Sequence, residues 1–452
     1  MSPRRPLWVR ARVLVLLLFA GGRAGQAVHR ALESGLAGFS AAYVAAWMVR
    51  GDVSLTALYD DRLFAEAVED IAPAGSPQIF APRPPAAAAL LLPLTSLRPP
   101  MARLVWVLIS VLLLLGGLGI LGLLAGEGAW NRSEWLGLAA LALLSVPAGQ
   151  AIGEAGTAPL LLVLACLGAW GTERGRVGAA CAATGGLILF TPGGLLYPLA
   201  WLFRRRRLWG LLPAGIALGM TGIAGIALGP GAYWRWAGRI VHELARPAPL
   251  DRVSLPALAS RLFLRDPAFH PGAVAPVPWI LALLSTAALG LALFATLRAL
   301  PWTPPRTGEE PGRSGAGSRA GLLFSALTAL AVLFDPFART PTYLLLLVPA
   351  WSAIRLGLSS RIGAAGWAAL VAVLWVALGP LPSIPVGGSS GWGIVSGAPR
   401  LCGAAGLWLW LLLEGSRPHP ATGRGGPGAI AALWAGLRRL RDRPATPRPR
   451  GS

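Results

Sequence analysis

Residues 101–125 read MARLVWVLISVLLLLGGLGILGLLA, an apolar run that carries one charged residue, Arg103. A helix needs about 20 such residues to cross the hydrocarbon core of a bilayer, so this stretch is read as a membrane span. Runs like it recur along nearly the whole chain. Of the 452 residues, 55% are hydrophobic and 13% charged, against about 25% charged in ordinary soluble domains. The expectation is an all-α polytopic membrane protein, one bundle of about 10–12 transmembrane helices with no soluble domain.

Working back from that span, residues 86–98 (AAAALLLPLTSLR) are apolar but short, and suit either a short crossing or a re-entrant helix. Ahead of them lies a polar stretch, 23–85, which holds seven of the chain's 19 acids: Glu33, Asp52, Asp60, Asp61, Glu66, Glu69 and Asp70. Polar chemistry in a membrane protein is confined to water-facing loops and protein-lined cavities. Residues 23–85 are therefore the candidate active site, in a large first extracytoplasmic loop whose residues 31–80 should cap a cavity open both to the lipid and to the outer face. Within it, 37–49 has the density of an interfacial helix and 61–70 that of a short amphipathic one. Residues 1–22 give a basic cytoplasmic N-terminus and a first anchor, retained rather than cleaved, whose Arg10 and Arg12 snorkel to the interface.

Working forward, residues 86–229 form a central transmembrane bundle in which Gly149-Gln150 and Glu154 interrupt the hydrophobicity. Thr191-Pro192-Gly193-Gly194 splits 177–203, with arginines at both ends (Arg174 and Arg176; Arg204 to Arg207), so a broken pair of short helices turning back is expected. Gly215 and Gly219 lie at the spacing of a close helix-packing face. A second extracytoplasmic loop covers 230–275. A C-terminal bundle covers 276–414, with a Pro/Gly/Arg linker at 300–319 and the segment FDPFARTPT between two spans. Residues 415–452 make a basic cytoplasmic tail.

The net charge of +21 does not indicate nucleic acid, because the arginines gather at the edges of apolar runs, as the positive-inside rule expects. Cys166, Cys181 and Cys402 lie in apolar segments without ligand spacing, and His29, His242, His270 and His419 are scattered. No metal and no cofactor is expected.

Two stretches carry a family resemblance. AAYVAAWMVRGDVSLTALYD (41–60) and PPAAAALLLPLTSLRPPMARLVW (84–106) resemble the polyprenol-phosphate-mannose-dependent mannosyltransferases of glycosyltransferase family 87, in the GT-C superfamily. Looser matches are Gly149-Gln150, SLPALASRLF (254–263) and DPFARTPTYLLLLVPAW (335–351). The resemblance implies an inverting hexosyltransferase, with mannose the expected hexose. Its partners would be a polyprenyl-phosphate sugar donor, a lipid or glycan acceptor and membrane lipids, in the bacterial plasma membrane. Such a transfer needs a carboxylate to take the acceptor proton and arginines to hold the leaving phosphate.

The chain departs from the family pattern where a catalytic Asp is expected before a Phe: Phe39 follows Gly38. An expected aromatic before Pro-Pro is Arg83, an expected Lys is Thr191, and an expected Ser-Pro is Asp335-Pro336. Glu33 and Asp60 are the candidate catalytic carboxylates, with Asp60 also suited to cap the helix after it. Tyr43, Arg50, Tyr59, Arg83, Gln150, Asp335 and Arg339 are the candidate substrate-binding residues. The alternatives are a transporter or flippase for a lipid-linked substrate and a catalytically degenerate lipid-binding member.

Overall fold

The computed structural model describes residues 7–33, 38–51, 57–72, 80, 83–124, 139–203, 207–228, 231–244, 252–262, 278–300, 319–359, 362–380 and 398–416. Asp52, His270, the linker 301–318, the loop 381–397 and the tail from 417 lie outside these. The described chain is helical apart from turns and one antiparallel bridge between Arg252 and Arg339.

Helix α1 (Leu7–Glu33) does not stop at Gly22. No proline interrupts residues 23–33, and Ala20, Ala27 and Ala31 stay buried along one face, so the expected loop begins only after Glu33. Helices α2 (Phe39–Arg50) and α3 (Asp61–Ile71) form where the sequence places them. Helix α2 is not interfacial, however: Phe39 to Ala46 are all buried, because its small residues let neighbours close in from every side. Helix α4 (Pro85–Leu91) runs into a 3-10 turn, Leu92–Ser96. Together they reach about 20 Å, short of the ~30 Å hydrocarbon core.

Helix α5 (Pro99–Leu124) is the quoted span. Helices α6 (Val146–Gly153) and α7 (Ala158–Glu173) follow a helical piece at 139–144. The broken segment is α8 (Val177–Phe190), a 3-10 turn Pro192–Leu195, and α9 (Leu196–Phe203). Helices α10 (Arg207–Leu228), α11 (Gly231–Leu244), α12 (Leu255–Leu262) and α13 (Pro278–Ala299) precede α14 (Arg319–Phe334). After a 3-10 turn, Thr340–Leu346, come α15 (Leu347–Ser359), α16 (Ala364–Leu378) and α17 (Pro399–Ser416).

Three described helices are long and apolar enough to cross a membrane unaided: Pro99–Leu124, Ile280–Ala299 and Thr340–Leu358. Prolines and glycines cut many of the other apolar runs into helices of 10–17 residues.

Helix α14 serves as a ruler for direction. Gly321, near its start, lies against Glu173 at the end of α7, while Asp335 just past its end meets Thr191. The Tyr197 hydroxyl donates to Thr328 Oγ1 at 2.9 Å and its ring stacks on Phe324, both further back along α14. The chain therefore rises along α8, turns at Thr191-Pro192, and returns along α9, as a re-entrant pair. The small-residue face of α10 is not used as expected: nothing approaches Gly215 or Gly219, and α8 meets Pro213 and Ile216 through Gly185 instead.

Two cores result. The larger joins α7, α14, α15 and α17 through leucines, alanines and Phe324. The smaller gathers Phe39, Tyr43, Tyr59, Phe64 and Phe80 with Trp106 of α5. It fixes the residues before α5 as a cap on one end of the bundle.

Candidate functional site

At the cap end the turn between α6 and α7, residues 154–156, sits at the centre. Ser145 caps α6, its hydroxyl accepting from the Ala148 N–H at 3.3 Å, and Pro147 occupies the first turn, where it loses no bond. The helix closes with the Glu154 N–H donating to the Gln150 carbonyl at 2.8 Å. Ala155 then takes φ 45°, a left-handed conformation that a side chain disfavours. It is held there by Trp106, whose Nε1–H donates to the Ala155 carbonyl at 2.7 Å. Strain of this kind persists only where surrounding structure enforces it.

This turn explains Gly38. The Phe39 N–H donates to the Glu154 carbonyl at 3.3 Å, which presses α2 onto the turn. A Cβ on Gly38 would lie 2.5 Å from the Glu154 carbonyl oxygen and 2.8 Å from Gly156 Cα. Both are backbone atoms, so no side chain fits at residue 38 while the turn is in place.

Around the turn, loops far apart in sequence bring in charge. Arg339 Nη1 lies 3.7 Å from Glu154 Oε2. Arg83 shares this field: burial and the positive Arg339 together lower its pKa to about 10, with Glu154 opposing them. At neutral pH the Arg83 guanidinium stays charged. Glu154, whose side chain is 30% exposed, thus pairs with Arg339 within the field of Arg83.

A second string of charges runs beside it. Arg239 pairs with Asp61 and lies 3.6 Å from Glu243 Oε1. Glu243 Oε2 lies 3.3 Å from Arg252 Nη2, and that guanidinium covers the Phe337 ring at 5.0 Å. The Val253 N–H donates to the Ala338 carbonyl at 2.8 Å, so the second polar stretch is stitched to the 335–339 loop.

Asp335 is committed on both oxygens. Oδ1 accepts from the Phe337 N–H at 2.9 Å and Oδ2 from the Thr191 hydroxyl at 2.8 Å. Burial raises its pKa, against the lowering effect of those bonds and of Arg252. Two departures from the family pattern, at 191 and 335, are therefore partners. Beneath them is a small cavity lined by Thr191, Gly194, Tyr197 and Asp335, far smaller than a lipid-linked sugar and with no residue of 31–80 in its wall.

The remaining candidates divide. The Tyr59 hydroxyl donates to the Arg83 carbonyl at 2.9 Å and so holds that arginine's backbone. Gln150 lies one turn before Glu154 on α6, on the same face. Tyr43 donates to the Leu97 carbonyl at 2.9 Å and Arg50 Nη1 reaches Thr95 Oγ1 at 3.4 Å, which tie α2 to the turn after α4. Asp60 is the N-cap of α3, accepting from Arg62 and Leu63 N–H groups at 3.0 and 3.3 Å. Glu33 is not brought in: it pairs with His29 at 3.2 Å on the exposed face of α1, with a side chain 66% accessible. Glu154, Thr191, Arg239, Glu243 and Arg252 went unmarked as site residues; the one signal for Glu154 was its interruption of an apolar run. Among the described residues no cluster of His, Cys, Asp and Glu could hold a metal ion.

The model of glycosyltransferase family 87 matches residues 83–308, half of the chain, a span that runs from Arg83 through Glu154 and Thr191 to Arg252. No curated protein matches the chain.

Proposed function

The chain belongs to glycosyltransferase family 87, and from that membership we propose that it transfers a hexose from a polyprenyl-phosphate sugar to a hydroxyl of a lipid or glycan acceptor. As a family member it is a membrane glycosyltransferase. Mannose as the hexose, inversion at the anomeric carbon, and reaction at the extracytoplasmic face of a bacterial plasma membrane complete the proposal.

One observation carries it. Arg339 pairs with Glu154 and Arg83 lies in the field of both, at the end of the bundle where the polar cap packs. Like charges are costly to hold together unless an anion joins them, and guanidinium is the group best matched to phosphate oxygens. A polyprenyl-phosphate sugar brings one negative charge on a phosphodiester at the boundary between lipid and water. In this reading the two arginines take that phosphate, Tyr59 keeps Arg83 in place, and Gln150 offers an amide to the sugar hydroxyls. The leaving group departs as polyprenyl phosphate with a further negative charge, which the same two arginines stabilise as it develops.

The test uses the purified full chain in lipid nanodiscs, with labelled polyprenyl-phosphate mannose and an alkyl mannoside acceptor. Label should move to the acceptor with the opposite anomeric configuration. Movement of intact labelled lipid between leaflets of reconstituted vesicles, without sugar transfer, would replace this reading with that of a flippase.

A further inference from the structure

We propose that Glu154 is the general base of the transfer, and that donor phosphate releases it for that role by drawing Arg83 and Arg339 away. The inference rests on the transferase reading above and assigns the residue that the reaction still lacks.

The acids at the cap end are separable by what already holds them. Asp335 is buried with both oxygens accepting hydrogen bonds. Glu243 is buried between Arg239 and Arg252. Asp61 is paired with Arg239, and Asp60 is spent on the N-cap of α3. Glu33 faces away with His29. Glu154 alone among these combines side-chain access with a position beside the two guanidiniums suited to donor phosphate. Its backbone occupies the space that a side chain at residue 38 would need. The same approach that forbids a carboxylate at residue 38 therefore brings one in on the neighbouring turn.

The pairing also supplies an order of events. A carboxylate facing two cations is a poor base, because they stabilise its charged form. The 3.7 Å separation from Arg339 is a loose contact that a phosphate can outcompete. Once the phosphodiester has taken the guanidiniums, Glu154 is left facing a site of lower positive charge, and its basicity rises. The acceptor oxygen then attacks the anomeric carbon, its O–H proton passing to a Glu154 oxygen. The bond from that carbon to the phosphate oxygen breaks with its electron pair going to phosphate. Glu154 later yields the proton to water.

The experiment compares wild type with Glu154→Gln in nanodiscs, measuring mannose transfer from polyprenyl-phosphate mannose across pH and binding of polyprenyl phosphate separately. Turnover should fall by about 100-fold or more, with the limb that rises with pH lost. Binding of polyprenyl phosphate should tighten about fivefold, since a competing negative charge is gone; a residue with a merely structural role would not produce that gain. Glu154→Asp should recover part of the turnover. A Glu154→Gln protein that keeps wild-type turnover overturns the assignment, as does one that loses phosphate binding together with turnover. If wild type itself transfers no sugar from any polyprenyl-phosphate donor, the transferase reading fails first and this inference with it.

Discussion

The two ends of the bundle treat charge in opposite ways. At the far end Glu173 of α7 meets Arg355 of α15, one Nη1 reaching both carboxylate oxygens at 3.0 and 3.2 Å. Both side chains are largely buried, and Gly321 gives them room: a Cβ there would come within 2.4 Å of Glu173 Cγ. The pair fastens two helices. At the cap end, Glu154 pairs with Arg339 in the field of Arg83, Arg239 reaches both Asp61 and Glu243, and Glu243 reaches Arg252 as well. The charges come from loops before α4, after α6, in and after α11, and after α14. A closed pair is what packing needs. A string of shared charges drawn from separate segments and partly open to solvent is what an anionic substrate can enter.

The largest expected effect breaks the far end. Glu173→Gln leaves Arg355 buried without its counter-charge, and should cost about 3 kcal/mol of stability in thermal unfolding. Replacing both residues by leucine should recover most of that loss, since a buried ion pair of this kind is replaceable by apolar contact. If the double variant is as unstable as the single one, the pair does more than fasten helices.

The next concerns residue 38. Gly38→Asp should cost about 2 kcal/mol and restore no activity, because its Cβ would meet the backbone of the 154–156 turn. A stable Gly38→Asp protein with raised turnover would show that the turn yields, and would return the catalytic role to α2.

The smallest effect is a pH dependence at the cap end. Burial holds the Asp335 pKa above the ordinary carboxylate value. A carboxyl raised in the fold favours folding below its unfolded pKa, and that contribution is lost as pH rises through the folded value. Lowering pH from neutrality through this window should therefore stabilise wild type relative to Asp335→Asn, in which the group is neutral throughout. Equal unfolding midpoints for the two proteins relative to each other across the window would contradict the assignment.

Much of this architecture is written locally. Apolar runs mark α5 and α13, Asp60 announces α3, and Thr191-Pro192 breaks the re-entrant pair where expected. The polar stretch before α5 supplies Arg83 and Tyr59 to the cap end. What local pattern does not carry is contact across distance. Glu154 reads as a blemish in an apolar run until the fold sets it against Gly38 on one side and Arg339 on the other. Arg239 and Glu243 sit on a helix whose far face exposes Trp234, and nothing in their spacing names Asp61 as a partner. Glu33, by contrast, is near Gly38 in sequence but on the wrong face of a helix that runs longer than its hydropathy suggests.

The contrast between the ends is tested most directly by the affinity for polyprenyl phosphate, measured on wild type, Arg83→Gln, Arg339→Gln and Arg355→Gln in nanodiscs. Each charge-assisted bond to phosphate is worth about 1.5–3 kcal/mol, so Arg83→Gln and Arg339→Gln should each weaken binding about 10- to 100-fold. Arg355→Gln should lower the unfolding temperature and leave the affinity of the folded protein unchanged. Undiminished affinity in both Arg83→Gln and Arg339→Gln would contradict the account.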